Sequence, residues 1–335
     1  MKELYNVKSV EDFWKKWRYT KSSGPSGLPI FKDNKSNTPQ ENRKILAETF
    51  LKRSAYEFNI RLSRGRQLQL TPTNIKELRE IVNGLSDKKA PGPDEITNKM
   101  FKIMVREKGD CMVKIYNLLL RNAKIPRCWK KGKMIFFPKK SERVEKPKDL
   151  RPITLTSVWC KVAERLICSR LESKLQEKKY FNGSQFGFTK QKSTTDAIEF
   201  IVKRAKAARV TMKYNVMVAF DISGAFNEIG WKLIQRNVED ARIGEEYARA
   251  VESILKDREC YIGKDVFKSK RGCPQGGCAS PLLWKIGMNP LLEELTKIKG
   301  IQVAAFADDL LVLISANREA GIQYLLDELM TELNR

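Results

Sequence analysis

Histidine does not occur once in the 335 residues. Its absence removes histidine-based nucleophilic triads and imidazole metal sites, leaving carboxylates, lysines, arginines and bound metal to run any chemistry. The seven cysteines, an odd number with no CxxC pair, build no disulfide framework and read as reduced thiols of an intracellular protein. Cys273 and Cys278 lie close in sequence, but no second close pair completes a zinc set. No apolar run is long enough to cross a bilayer, and Met1-Lys2-Glu3-Leu4 opens no signal peptide. Acid is scarce as well: 40 Asp+Glu face 64 Lys+Arg, a formal charge of +24. The cations are spread through nearly every segment, including Lys139-Lys140, Lys178-Lys179 and residues 203–209, and a polyanionic partner accounts for their sign.

Against that deficit, acids set into apolar stretches stand out. Residues 301–314, IQVAAFADDLLVLI, have the composition of a buried hairpin, yet Asp308 and Asp309 interrupt it. A carboxylate buried there is tolerated mainly when paired or when it holds a metal. The expected hairpin runs up through residues 302–306, turns at Ala307-Asp308-Asp309 and returns through residues 310–314. A second short apolar strand, residues 216–222, contains Asp221 near its end. Taken alone, Asp221 reads as a turn or cap residue. Side by side, the two strands would gather three carboxylates at one sheet end, hard oxygen ligands suited to Mg²⁺ or Mn²⁺ and to a two-metal phosphoryl transfer.

The rest of the chain supplies a frame for such a site. Phe13, Trp14 and Trp17 are expected to anchor a basic N-terminal region, and Thr38-Pro39-Gln40-Glu41 has capping-box spacing. Helices are expected after Asn74, over residues 96–105, after Thr156, around Ile198, Ile201, Val202 and Ala205, over residues 282–295, and at the end with Ile322, Leu325, Leu326, Leu329, Met330 and Leu333 on one face. Residues 134–137 and 150–155 read as a hairpin bearing Lys139 and Arg151. That pair has the chemistry to grip a triphosphate, and is equally explained as two solvated cations. Phe226, five residues past Asp221, is either a floor under an incoming sugar or core. A second hairpin around Gly263-Lys264 feeds residues 271–277, whose glycines let backbone approach a ligand.

Six of these stretches occur in a known order: Ala90-Pro91-Gly92-Pro93-Asp94, Leu150-Arg151-Pro152-Ile153, Gln185-Phe186-Gly187-Phe188, Phe220-Asp221 with Ala225-Phe226, Pro274-Gln275-Gly276 with Ser280-Pro281, and Phe306-Ala307-Asp308-Asp309. Across roughly residues 70 to 335 the chain resembles the reverse transcriptases of LINE-type (non-LTR) retrotransposons. The resemblance implies an α+β right-hand polymerase with a ferredoxin-like palm and fingers of helices and β-hairpins, the thumb being absent. Its expected parts are a basic, mostly helical extension over residues 1–70, fingers with part of the palm over 71–212, and palm over 213–335 with a fingers-side hairpin near 258–272. It also implies roles. Asp221, Asp308 and Asp309 would be the catalytic, metal-binding acids, with the Ile222 carbonyl as a further ligand to two Mg²⁺, or Mn²⁺, ions. Phe226 would reject a ribose 2′-hydroxyl, Lys139 and Arg151 would contact the triphosphate, and Gln275 would lie in the nucleotide pocket. Expected partners are template RNA, a DNA or RNA primer, deoxynucleoside triphosphates and the element RNA, with no membrane, and the expected setting is the nucleus, for target-primed reverse transcription. Glu95 departs from the family pattern, standing where glycine is common. The alternatives are a group II intron-type maturase reverse transcriptase and a non-catalytic RNA-binding derivative.

Overall fold

The computed structural model of the chain describes residues 38–51, 58, 69–139, 146–211 and 214–334. Phe13, Trp14 and Trp17 lie outside them. Two antiparallel-rich sheets and a helical layer organise these residues. The first sheet has the order β2-β1-β4-β5, from β1 (Lys131–Pro138), β2 (Leu150–Thr156), β4 (Glu259–Ile262) and β5 (Asp265–Lys268). The second has the order β3-β7-β6, from β3 (Tyr214–Asp221), β6 (Ile301–Phe306) and β7 (Asp309–Ala316). The Gly263-Lys264 hairpin forms as its sequence indicates, and its first strand pairs in parallel with β1, so that segment completes the first sheet.

Local sequence sets most helix ends. Helix α1 (Pro39–Phe50) opens on a complete Thr38/Glu41 capping box, and its Leu46, Ala47 and Phe50 pack onto Met134, Leu150, Cys260 and Ile262 of the first sheet. Helix α2 (Ile75–Asn83) is capped by Asn74. Helix α3 runs Asn98–Glu107 and not from Ile96, because the Thr97 hydroxyl accepts the Met100 N–H and ends the preceding turn. Helices α4 (Gly109–Asn122) and α5 (Val158–Glu177) join them, with α8 (Trp231–Asp240), α9 (Glu245–Leu255) and α10 (Ser280–Lys297), in one large core.

The three-stranded sheet is covered on both faces. Residues Val303, Ala305, Leu310, Val312 and Ile314 meet Leu292 and Leu295 of α10 and Leu325 and Leu329 of α11 (Glu319–Leu333). On the opposite face Ala304 and Leu313 meet Ala197 and Ile201 of α6 (Thr194–Val210). The apolar residues that mark these two helices are not all buried. Ile198 and Val202 are exposed, because α6 lies across the sheet on a narrow stripe one residue per turn wide, and Met330 likewise faces out. Strand β3 is no buried strand either: it is the sheet's edge, and Tyr214, Val216 and Met217 remain exposed.

Candidate active site

Register places the acids. Strands β3 and β7 pair antiparallel from Tyr214 opposite Ala316 to Asp221 opposite Asp309. Directly opposed residues of an antiparallel pair project from the same face, so Asp221 and Asp309 stand side by side. Asp308 belongs to the two-residue turn between β6 and β7, where its carbonyl accepts the Ile222 N–H at 3.2 Å. The burial expected of the acids is corrected here: Asp221 and Asp309, at the ends of their strands, are exposed and Asp308 is half-buried. Among the described residues the three side chains have no ion-pair or hydrogen-bond partner, and no three acidic, histidine or cysteine side chains close around a single point. Asp221 and Asp309 border a cleft of about 360 Å³ whose opposite wall is the first turn of α6, at Thr194, Ala197 and Ile198.

The turn carrying Asp308 is clamped from three sides. Ala307 adopts φ 58°, a left-handed conformation rarely taken by a residue with a Cβ. Its carbonyl accepts a hydrogen bond from the indole Nε1 of buried Trp284 at 2.8 Å. Gln185 forms a parallel bridge with Ala305, and the Phe186 N–H donates to the Ala305 carbonyl at 2.8 Å. Gly187 then lies so close that a Cβ there would sit 2.1 Å from the Ala307 nitrogen. This close approach explains the glycine between two aromatics. Sequence reasoning missed Trp284; a lone indole N–H in an apolar helix, needing a buried acceptor, was its only signal.

Trp284 also links the acids to Phe226. The two rings pack at 5.6 Å between centroids, and Phe188 meets Phe226 edge-on at 6.0 Å. Phe226 sits in the short helix α7 (Ala225–Glu228), and its carbonyl accepts the Cys273 N–H at 2.6 Å. The Ile222 carbonyl accepts the Ala225 N–H at 3.3 Å, leaving a second lone pair. The loop after Cys273 reaches the other sheet, where the Gln275 carbonyl accepts the Thr154 N–H of β2 at 2.8 Å. Gln275 is thus held between Phe226 and the strand that bears Arg151. Arg151 is exposed on β2, and Lys139 is exposed just past β1, its N–H bonded to the Asp149 carbonyl at 2.8 Å. Among the described residues neither cation pairs with the three acids. Burial pushes the Cys273 thiol up to about 12 and the Lys130 ammonium down to about 8; both line a small cavity beside Gln275. A thiol held neutral in this way is no nucleophile at neutral pH.

No helix among the described residues is long and apolar enough to cross a membrane. The model of the family described as reverse transcriptase (RNA-dependent DNA polymerase) matches residues 137–335, more than half of the chain. Among similar proteins, the Pol polyprotein of the type-1 retrotransposable element R1 of Bradysia coprophila is 30% identical over 255 residues, covering 75% of this chain and 25% of that protein. The RNA-directed DNA polymerase of the mobile element jockey of Drosophila melanogaster is 26% identical over 273 residues, covering 78% and 30%. The Pol polyprotein of the R2DM element of the same fly is 25% identical over 257 residues, covering 73% and 23%. The chain therefore spans about a quarter of the length of the relatives it matches. The chain belongs to the reverse transcriptase family, of the non-LTR retrotransposon type.

Proposed function

We propose that the chain performs RNA-templated DNA synthesis, with Asp221, Asp308 and Asp309 as the acids of the reaction centre. The observation that carries this reading is the register pairing of Asp221 with Asp309 in a chain rich in cations, none of which, among the described residues, is paired with either acid. Two like charges directly opposed across a ladder are destabilising. Their arrangement makes physical sense around a cation the protein itself does not supply. The donor set, carboxylates with the remaining lone pair of the Ile222 carbonyl, fits Mg²⁺ or Mn²⁺ in chemistry. Two such ions, when bound, would neutralise charge on the attacking and leaving oxygens.

In this reading the primer 3′-oxygen attacks the α-phosphorus of a deoxynucleoside triphosphate. Its proton leaves to solvent, the bond to the β-phosphate breaks, and pyrophosphate departs with the electron pair. Arg151 and Lys139 supply positive charge to the triphosphate, Arg as a planar fork and Lys as a point charge. Gln275 is carried on a loop tied to both sheet and gate. Phe226, wedged between Trp284 and Phe188, would reject a ribose 2′-hydroxyl by occupying its space. The excess of cations suits a template-primer duplex, and in a longer protein the same step would serve target-primed reverse transcription on element RNA in the nucleus.

Oligonucleotide-primed extension on an RNA template tests the reading. Wild-type protein should extend with deoxynucleotides and not with ribonucleotides, and Phe226→Val should admit ribonucleotides. Equal use of both by the wild type would reject the gate, and no extension under any condition would reject the activity.

A further inference from the structure

Glu164 of α5 is fully buried, more than a hundred positions from the two backbone N–H groups it accepts. One carboxylate oxygen accepts the backbone N–H groups of Cys278 at 2.8 Å and Ala279 at 3.2 Å, where α10 begins without any side-chain cap of its own. The other oxygen is paired with the guanidinium of Arg258, itself buried, whose Nε donates to the Ile254 carbonyl at 2.6 Å at the end of α9. The Arg258 carbonyl in turn accepts the Ser269 N–H at 3.1 Å. The segment between Ser269 and Ala279 is therefore tied at its Ala279 end by the Glu164 carboxylate and at its Ser269 end by the backbone of Arg258, and Gln275, bonded to Thr154, lies between the two.

We propose that Glu164 and Arg258 are positioning residues for the nucleotide, acting through this segment without touching substrate. The proposal rests on the reading of Gln275 as part of the nucleotide site. A buried ion pair is poor evidence of stabilisation, because well-packed apolar residues of similar volume often serve the fold as well or better. Apolar replacements have no oxygen for the Cys278 and Ala279 N–H groups, whose orientation sets where α10 starts and where the preceding loop lies. The pair thus offers the loop something that packing alone does not. Small misplacements of a binding group cost as much as about a hundredfold in rate or affinity.

Steady-state primer extension on RNA with the full 335-residue chain separates position from stability. Glu164→Met/Arg258→Met together should melt near the wild type, bind template-primer as the wild type does, and show a deoxynucleotide KM raised by about tenfold or more. A folded double variant with unchanged KM overturns the proposal. Glu164→Gln is the second probe: one amide oxygen has to serve both Arg258 and the α10 N–H groups, so KM should rise here too, and an unchanged KM in this variant, if the double variant fails to fold, overturns the proposal equally. Gln275→Ala distinguishes the two readings. A normal KM in Gln275→Ala removes the nucleotide reading of the loop and the proposal with it; a raised KM there beside a normal KM in the Glu164 variants overturns only the role of the pair.

Discussion

Glu164 and the acids of the three-stranded sheet are treated in opposite ways by the same chain. Glu164, in the helical layer, has no exposed surface and spends both oxygens on an arginine and two backbone N–H groups. Asp221 and Asp309, at the sheet's end, are exposed and have no partner among the described residues. The chain does not lack cations to offer them. One carboxylate is placed to hold other atoms, and the other two are held by backbone register for a ligand from outside. The contrast teaches that a satisfied acid marks architecture, while an acid fixed in place and left unsatisfied marks chemistry.

Breaking each side of the contrast should give opposite signatures. The largest effect is on activity: Asp221→Asn or Asp309→Asn should lower primer extension by about a thousandfold. The same changes should raise folding stability by up to about 1 kcal/mol in metal-free buffer, since a like-charge pair across the ladder is removed. A melting curve and an extension assay on each variant check both halves. Glu164→Ala should do the reverse in stability, costing about 3–5 kcal/mol by chemical denaturation, because Arg258 is left buried and unpaired.

Smaller effects sharpen the comparison with groups that are neither fully paired nor left free. Glu95 takes φ 57° in the turn after Asp94, a left-handed conformation that glycine adopts without strain. Glu95→Gly should therefore stabilise by roughly 0.5–1 kcal/mol, read as a shift in denaturation midpoint. Lys130 is a buried cation satisfied by the carbonyls of Ser253 and Lys256 rather than by an acid, and burial lowers it from 10.5 to about 8. Between those two values the unfolded chain binds more protons than the folded one, so this group's contribution to stability rises with pH across that window. The stability difference between wild type and Lys130→Met should move in favour of the wild type from pH 8 to pH 10.

What the sequence made legible was local. The capping box at Thr38, the three hairpins and the strand ending at Asp221 are read from short local patterns, and they form. Even the siting of the acids at one sheet end follows from two short apolar patterns, although the reason first given for it, burial, does not hold. What was illegible depends on distant pairing. Glu164 has no periodic pattern that points to Cys278, nor Trp284 one that points to Ala307, because the first hydrogen bond exists only once α5 meets the start of α10 and the second only once α10 meets the β6–β7 turn. The exposure of Ile198 and Val202 is of the same kind: helical period predicts a stripe, and only the width of the sheet beneath fixes how much of it is covered.

The claim that Asp221 and Asp309 form one cation-binding unit is tested most directly by titrating Mn²⁺ into the wild type and into the two single Asn variants, following bound metal by electron paramagnetic resonance. Loss of binding in both variants, with the fold intact, is the predicted result. Wild-type Mn²⁺ affinity in either folded variant would contradict it.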